Sequence, residues 1–196
     1  MGGVEKPVDM KRVIIIHGWG GSPDTNWLPW LKTELEKRGY EVSAPSMPDT
    51  DAPAIGPWVK HLAEVVGTPD KDTYFVGHSI GCQTIFRYLE TIDTPVGGAV
   101  FVAGWFNLEN LEDEESEKIA EPWVKTPIDI SKINKVLPKS VLIISDNDPY
   151  GAFEENKQRF SELMSRVVVL PNVGHITESE EPAILSRCLD LLGDNK

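Results

Sequence analysis

Apolar residues along this chain alternate between continuous runs and segments in which they recur every three or four positions. The run of residues 13–16 is β-branched throughout, which is typical of a strand buried on both faces. Residues 27–38 place their leucines at helical spacing and are followed by Gly39, a frequent helix stop. This pairing of a buried strand with an amphipathic helix recurs to the end of the chain.

The recurring pattern predicts a three-layer α/β architecture, because strands separated by helices of about 10–15 residues form a mostly parallel sheet covered by helices on both faces. Ligands bind such sheets at the carboxyl ends of the strands. Residues 45–57, rich in Pro and Asp, are predicted to form a loop. The predicted strands cover residues 13–16, 40–44, 73–76, 98–103, 141–145 and 166–170, and the predicted helices cover 27–38, 58–66, 80–91, 153–164 and 182–192.

One segment departs from this alternation. Among residues 109–121, seven of thirteen are acidic, and Trp105, Phe106 and Trp123 flank them. A charge run is usually a solvated face or loop, which is the interpretation we favour. The alternative is a small lid over about 104–127, with the aromatic side chains facing a site and the acids facing water.

The composition indicates one domain, 1–196, with a strong negative charge. The chain has 196 residues, of which 40% are apolar, enough to bury a core. Its formal net charge of −12 repels phosphate backbones, so we expect no nucleic-acid partner. No apolar run reaches the roughly 18 residues of a membrane span, and the N-terminus lacks the apolar core of a signal peptide. We therefore expect a cytoplasmic protein with no membrane partner. Cys82 and Cys188 fit neither a disulfide framework nor zinc spacing and predict buried thiols.

Candidate chemistry begins at Gly77-His78-Ser79-Ile80-Gly81, which fits G-x-S-x-G between a predicted strand and a predicted helix. A serine hydroxyl is a good nucleophile only when it is exposed, rigidly held and served by a base. The sharp turn provides the exposure, and the helix N-terminus directs backbone N–H groups at a developing oxyanion. The pattern predicts Ser79 as a nucleophile; a capping serine at an ordinary turn is the less favoured alternative.

A base and an acid follow Ser79 in the order expected of a Ser-His-Asp triad. His175 lies in the loop after the last predicted strand, where a base that takes the serine proton is expected. The preceding predicted strand runs into Asp146 and Asp148. Either carboxylate could orient the histidine, and the other would then serve turn chemistry.

Two backbone N–H groups are expected to stabilise the oxyanion. One belongs to Ile80, after the nucleophile, and the other to Trp19, in the glycine-rich turn after the first strand. His17 lies beside that turn, where a structural role is favoured over that of a second base. His61 and His78 have no partner that the sequence identifies, and no cluster of His, Asp and Glu has metal-ligand spacing.

These residues resemble the small serine hydrolases grouped with retinoblastoma-binding protein 9 and the bacterial YdeN-type proteins, over nearly the whole chain. The resemblance implies a compact α/β-hydrolase fold with little or no cap. In this family the triad acid typically precedes a proline, as Asp148 precedes Pro149, so the resemblance favours Asp148 over Asp146. Ser145 departs from the glycine that larger α/β-hydrolases usually have there. The matching segments are His17-Gly18-Trp19-Gly20-Gly21-Ser22, Asn26-Trp27, Trp30-Leu31, Met47-Pro48-Asp49, Gly77-His78-Ser79-Ile80-Gly81, Asp148-Pro149 and Gly174-His175.

The predicted function is hydrolysis of a small carboxylic ester, thioester or amide through an acyl-enzyme, with Ser79, His175 and Asp148 as the catalytic residues. It requires a small-molecule acyl substrate but no cofactor and no metal. The alternative is a weakly catalytic or non-catalytic module that binds a protein or a ligand, which the retention of all three residues in order disfavours. The candidates to line an apolar substrate pocket are Trp19, Trp105, Phe106 and Trp123.

Overall fold

A computed structural model describes residues 10–194 of the chain. The prediction about a signal peptide depends on residues before position 10, which lie outside this range. The described residues form a six-stranded sheet in the order β2-β1-β3-β4-β5-β6, and every pair of neighbouring strands is parallel. The carboxyl ends of all six strands therefore lie at one edge of the sheet. The strands are β1 (Arg12–Ile16), β2 (Glu41–Ser43), β3 (Thr73–His78), β4 (Gly98–Val102), β5 (Ser140–Ser145) and β6 (Arg166–Leu170).

Helices cover both faces of this sheet, which confirms the predicted three-layer α/β architecture. Strand residues alternate between the two faces, because successive side chains of a strand point in opposite directions. Ile14 and Leu142 belong to the core beneath α2, α3, α5 and α6, whereas Ile15 and Ile143 belong to the core beneath α1 and α7. The helices are α1 (Leu28–Glu36), α2 (Ile55–Val66), α3 (Ile80–Leu89), α4 (Glu114–Lys125), α5 (Ile130–Val136), α6 (Phe153–Glu162) and α7 (Pro182–Leu192).

The two cysteines lie in these cores, one on each side of the sheet. Cys82 packs beneath the first group of helices and Cys188 beneath the second, and both are buried, as predicted. Burial raises the pKa of both thiols, so neither is poised to react as a thiolate.

The predictions of helices were wrong at two places. Helix α2 begins at Ile55, not at Trp58, because Pro57 lies in its first turn, where a missing N–H costs no hydrogen bond. Two helices, α4 and α5, lie where no helix was predicted. The Asp113 side chain accepts a hydrogen bond from the Ser116 N–H and so begins α4.

The acidic segment lies mostly in α4, and its charges favour that helix. Three glutamates in the first turn stabilise the positive end of the helix dipole. Their side chains are exposed, as expected of a solvated charge run, while Ala120 and Trp123 face the protein interior. Among the described residues, no helix is both long and apolar enough to cross a membrane.

Candidate active site

Ser79 occupies a strained turn between β3 and α3. Its backbone φ of 52° and ψ of −119° lie outside the regions that a non-glycine residue prefers. The glycines on either side permit close packing there. A Cβ on Gly77 would lie 2.8 Å from the Cys82 nitrogen, and one on Gly81 would lie 2.4 Å from the Ile16 carbonyl oxygen. This geometry is that of a nucleophile elbow, which holds a serine side chain at the carboxyl edge of the sheet.

His175 and Asp148 lie together in the loops that follow β6 and β5. The Nδ1 atom of His175 is 2.7 Å from Oδ2 of Asp148, and the two side chains are 17% and 10% exposed. An ionised carboxylate only accepts hydrogen bonds, so Nδ1 carries the proton of the neutral ring and Nε2 is free to accept one. The other oxygen of Asp148 accepts the Tyr150 N–H at 3.0 Å, which fixes the carboxylate in place.

We name residues 145–148 the acid loop and residues 172–176 the base loop. Side chains at the start of the acid loop accept hydrogen bonds from backbone N–H groups of the base loop. Oδ1 of Asp146 accepts the N–H of Asn172 at 2.8 Å, and Ser145 Oγ accepts that of Val173 at 3.1 Å. The Asn147 side chain accepts the next N–H along the base loop, at 2.8 Å. Asp146 and Asp148 therefore have different partners, and Ser145 serves as a hydrogen-bonding group where larger relatives usually have glycine.

His78 and Trp27 contact the other side of the base loop. Nε2 of His78 lies 3.0 Å from the carbonyl oxygen of His175, and the Trp27 indole N–H donates to the carbonyl of Ile176 at 3.0 Å. Burial of the imidazole is the main reason that the pKa of His78 is lowered to about 4, and a positive charge on His175 lowers the pKa in the same direction. His78 is therefore neutral at physiological pH. The sequence did not identify these contacts, because they join positions 97 and 149 residues apart.

His17 is a structural residue of the turn after β1, as the sequence indicated. Its Nδ1 donates to the Gly18 carbonyl at 2.8 Å, and its Nε2 accepts the Met47 N–H at 3.0 Å. Both ring nitrogens are occupied, and burial lowers the pKa of His17. His61 lies on the surface of α2, with its Nδ1 4.0 Å from a carboxylate oxygen of Glu64. Neither histidine has the surroundings expected of a catalytic base.

The predicted oxyanion residues line the same cavity as Ser79 and His175. Ile80 is the first residue of α3, so its N–H has no acceptor within the helix. Trp19 is fixed by its indole N–H, which donates to the Asp51 carbonyl at 2.9 Å. The cavity has a volume of about 360 Å³. Its lining residues are Gly18, Trp19, Gly21, Asn26, His78, Ser79, Ile80, Trp105, Leu108, Leu111, Glu112, Ser116, Tyr150, His175 and Thr177.

Two of the four aromatic pocket candidates lie away from this cavity. Trp19 and Trp105 are part of its lining, but Phe106 stacks on Phe86, with ring centroids 5.1 Å apart. Trp123 is 1% exposed and donates its indole N–H to the Pro53 carbonyl. The rings of these two residues therefore pack away from the cavity: Phe106 lies against Phe86 of α3 and Phe160 of α6, and Trp123 lies on the buried side of α4.

A strap formed by residues 104–113 supplies cavity residues that the sequence did not indicate. The strap runs beside the residues that follow the acid loop: Leu108 forms an antiparallel bridge with Gly151, and the Glu109 N–H donates to the Tyr150 carbonyl at 2.9 Å. The Tyr150 hydroxyl donates in turn to Glu112 at 3.1 Å. These contacts bring Leu108, Leu111 and Glu112 to the cavity wall. The one sequence signal for this role is a pair of leucines, three positions apart, among polar residues.

Two kinds of side chain in the described cavity lining can carry a formal charge. If the two histidines are set aside, Glu112 is the one that is charged at neutral pH. Within residues 10–194, no group of three or more His, Cys, Asp and Glu side chains is arranged to hold a metal ion. The chemistry available at the site is therefore that of a hydroxyl, an imidazole, a carboxylate and backbone N–H groups around an apolar cavity.

Comparison with known proteins matches both the sequence and the fold to hydrolases. The family model described as serine hydrolase matches residues 13–192. The Bacillus subtilis protein YdeN is 28% identical over 185 residues, which are 93% of this chain and 94% of YdeN. This match confirms the resemblance to YdeN-type proteins stated from the sequence.

Solved structures share the fold at lower identity. The crystal structure of the ydeN gene product from Bacillus subtilis has a TM-score of 0.86 and 24% identity, and the match covers 94% of this chain and 100% of that one. Est1E from Butyrivibrio proteoclasticus has a TM-score of 0.73 and 14% identity, covering 95% and 90%. The carboxylesterase CesB from Bacillus subtilis has a TM-score of 0.61 and 14% identity, covering 95% and 85%.

Proposed function

The chain belongs to the serine hydrolase family, and from that premise we propose that it cleaves a small carboxylic ester, thioester or amide through an acyl-enzyme on Ser79. The observation that carries the proposal is the 2.7 Å hydrogen bond between His175 and Asp148 at the wall of the cavity that Ser79 also lines. A nucleophile, a base and an oriented carboxylate in this order are the requirements of acyl transfer by a triad.

In the first half of the reaction, Nε2 of His175 accepts the proton of Ser79 Oγ as the oxygen attacks the carbonyl carbon of the substrate. The carbonyl electron pair moves to oxygen, and the N–H groups of Trp19 and Ile80 stabilise the resulting oxyanion. Asp148 remains ionised and stabilises the imidazolium. When the tetrahedral intermediate collapses, His175 returns its proton to the departing alcohol, thiol or amine, and the acyl group stays on Ser79.

In the second half, water replaces the leaving group. His175 accepts a proton from this water while its oxygen attacks the acyl carbon, and the same two N–H groups hold the second oxyanion. Collapse breaks the bond to Ser79 Oγ, His175 protonates that oxygen, and the carboxylic acid leaves. The protein ends in its starting protonation state, so no cofactor or external reductant is needed.

The cavity supports a small, largely apolar acyl or leaving group. Its volume of about 360 Å³ lies at the lower end of the range for small-molecule pockets. Trp19, Trp105 and Leu111 provide apolar walls. The carboxylate of Glu112 and the net charge of −12 disfavour acidic substrates by repulsion.

A fluorophosphonate probe tests this proposal, because it labels a serine only when a base activates the hydroxyl. We expect stoichiometric labelling of the purified protein at Ser79, mapped by mass spectrometry, and none of Ser79→Ala. Ser116→Ala is the matched control, since Ser116 lines the same cavity but lies outside the elbow. This variant should still be labelled.

Hydrolysis of short-chain p-nitrophenyl esters should follow the same pattern as labelling. His175→Ala should lose turnover almost as completely as Ser79→Ala, because the residues of a triad act as a unit. Failure of the folded protein to react with either reagent would contradict the proposal. It would favour the alternative of a binding module on the hydrolase fold.

A further inference from the structure

We propose that His78 is a positioning residue, which holds the base loop at a set distance from the nucleophile that follows it in the chain. The inference rests on the proposed function, since it concerns the placement of His175 relative to Ser79. His78 lies inside the elbow, where a side chain of many types would complete the G-x-S-x-G pattern. What requires a histidine is the contact that it makes 97 residues further along the chain.

The hydrogen bond between His78 and the base loop has a defined direction. A carbonyl oxygen only accepts, so His78 Nε2, 3.0 Å from the His175 carbonyl, carries the proton and donates it. The other ring nitrogen, Nδ1, is buried and has no hydrogen-bond partner among the described residues. It lies beside Gly18, where a Cβ would approach it to 3.1 Å. Among the described residues, the His78 ring therefore makes one hydrogen bond, to the base loop, and that bond must offset the cost of burying the unpaired Nδ1.

Trp27 makes the same kind of contact with the next residue of the base loop. Trp27 is fully buried and donates its indole N–H to the Ile176 carbonyl at 3.0 Å. Its ring also meets that of His78 edge to face, with centroids 5.6 Å apart. Two successive carbonyls of the base loop are therefore held by two side chains that support each other.

The backbone is strained in the segment that these residues hold. Ile176 has a φ of 55°, in the left-handed region that β-branched residues rarely adopt. Asn172 and Gly174, in the same loop, also have positive φ values of 57° and 58°, which asparagine tolerates and glycine adopts without strain, so the strain lies at Ile176. Strained conformations of this kind persist only where the surrounding contacts determine them. Without the hydrogen bonds to Ile176 and to the residue before it, the loop would relax toward ordinary backbone angles.

The acid loop completes the arrangement from the opposite side. Side chains of residues 145–147 hold the N–H groups of residues 172–174, as described above. His78 and Trp27 hold the carbonyls of residues 175 and 176. The His175 ring contacts Asp148, and its centroid lies 5.2 Å from that of the His78 ring. Because His78 is joined covalently to Ser79, its hydrogen bond couples the position of the base to that of the nucleophile.

A matched pair of substitutions tests this role. His78→Gln keeps an N–H donor on a side chain of similar length, whereas His78→Met has a similar length and no donor. We expect His78→Met to lower kcat for a p-nitrophenyl ester by about 100-fold, the effect of a misplacement near 1 Å, with KM nearly unchanged. His78→Gln should restore most of kcat, and Trp27→Phe should lower kcat in the same manner as His78→Met.

If His78 were needed only for folding, its substitution would lower the number of active sites and leave the turnover of each site unchanged. The measured hydrolysis rates are therefore divided by the fraction of protein that a fluorophosphonate labels at completion. Equal loss in His78→Gln and His78→Met, or a kcat of His78→Met close to that of the unchanged protein, would overturn the inference. If His78→Met does not fold, His78→Leu, which also lacks a donor, is compared with His78→Gln by the same criterion.

The His175→Ala variant separates this inference from the proposed function. Full activity of His175→Ala would contradict the proposed function and the inference with it. Loss of activity in His175→Ala together with an unaffected His78→Met would leave the proposed function intact and refute the positioning role alone.

Discussion

At the scale of single residues, Asp146 and Asp148 lie two positions apart and make different kinds of contact. Asp148 bonds to the His175 ring, whereas the exposed Asp146 bonds to the backbone of Asn172. The geometry of β5 explains the difference. Asp146 directly follows the strand, beside the end of β6, and meets the start of the base loop, while Asp148 lies two residues further along and meets His175 near the end of that loop. Local sequence is nearly equivalent for the two carboxylates, but their surroundings are not.

These contacts predict unequal effects of the two Asp→Asn substitutions. Asp148→Asn removes the charge that stabilises the imidazolium and favours the wrong ring tautomer, so kcat for an ester should fall by roughly 10³–10⁴. Asp146→Asn keeps an oxygen that accepts the Asn172 N–H, and kcat should stay close to that of the unchanged protein. Steady-state kinetics of both variants, with circular dichroism to verify folding, measure the difference. A larger loss in Asp146→Asn would assign the triad acid to Asp146.

At the scale of elements, the junction of β1, β3 and α3 determines where the site forms. The first turn of α3 packs directly on the end of β1, where Gly81 approaches the carbonyls of Ile16 and His17. This contact brings the turn after β1, which contains Trp19, beside the elbow. A helix that begins at this junction also directs its free N–H groups toward the cavity.

A methyl group at this junction should therefore be destabilising. Gly81→Ala places a Cβ 2.4 Å from a backbone oxygen, so the helix or the strand must move. We expect a loss of about 1–3 kcal/mol or more in the free energy of unfolding, as for overpacked cores, together with slower fluorophosphonate labelling. Gly56→Ala in α2 is the control, because its Cβ would meet nothing within 4 Å.

Urea unfolding monitored by tryptophan fluorescence compares the two glycine variants. Gly56→Ala should be as stable as the unchanged protein or slightly more so, because glycine weakens a helix by about 0.5–1 kcal/mol relative to alanine. Equal unfolding midpoints for Gly81→Ala and Gly56→Ala would show that α3 tolerates displacement from β1.

At the scale of the whole molecule, the loops at one edge of the sheet share buried polar groups whose protonation is coupled to folding. His78 lies between the elbow and the base loop, and burial lowers its pKa from 6.5 to about 4. Protonated His175 and His17 lower this pKa further, while Asp148 raises it. His78 therefore binds a proton more weakly in the folded protein than in the unfolded chain.

The sign of this coupling predicts loss of stability in acid. Between pH 6.5 and about 4 the unfolded state binds more protons at His78 than the folded state, so the free energy of unfolding falls as the pH falls. A single such group contributes at most about 1.4 kcal/mol per pH unit. Thermal unfolding midpoints measured between pH 7.5 and 4.5 should fall more steeply in the unchanged protein than in His78→Gln. Parallel curves would show that His78 does not contribute, since the carboxylates are common to both proteins.

Much of the fold and the candidate site could be predicted from the sequence, because both leave signals within short segments. Buried strands are continuous apolar runs, and helices repeat their apolar residues every three or four positions, so all six strands were predicted within a few residues. The G-x-S-x-G turn is likewise defined by five adjacent residues. Each of these candidate residues lies in a loop after a predicted strand: Ser79 after the third, the two aspartates after the fifth and His175 after the sixth. The order of the strands along the chain therefore gives the order of the residues.

Helix α4 and the pocket aromatics were beyond this kind of prediction. The charge of α4 hides a narrow apolar stripe, which consists of Ala120 and Trp123. Trp105 and Phe106 are neighbours in the chain, yet the first lines the cavity and the second packs on Phe86. No periodicity distinguishes them, because the backbone of the strap determines which ring faces the cavity.

The sequence by itself determined the sheet, five of the described helices around it and the residue types proposed for acyl transfer. Only the tertiary structure decided which aspartate contacts His175, what His78 and Trp27 contact, and which side chains line the cavity. The physical reason is the separation along the chain between the residues that interact. Strand and turn preferences act between residues a few positions apart, whereas the hydrogen bond from Trp27 to Ile176 spans 149 positions and exists only once the sheet has brought both ends together.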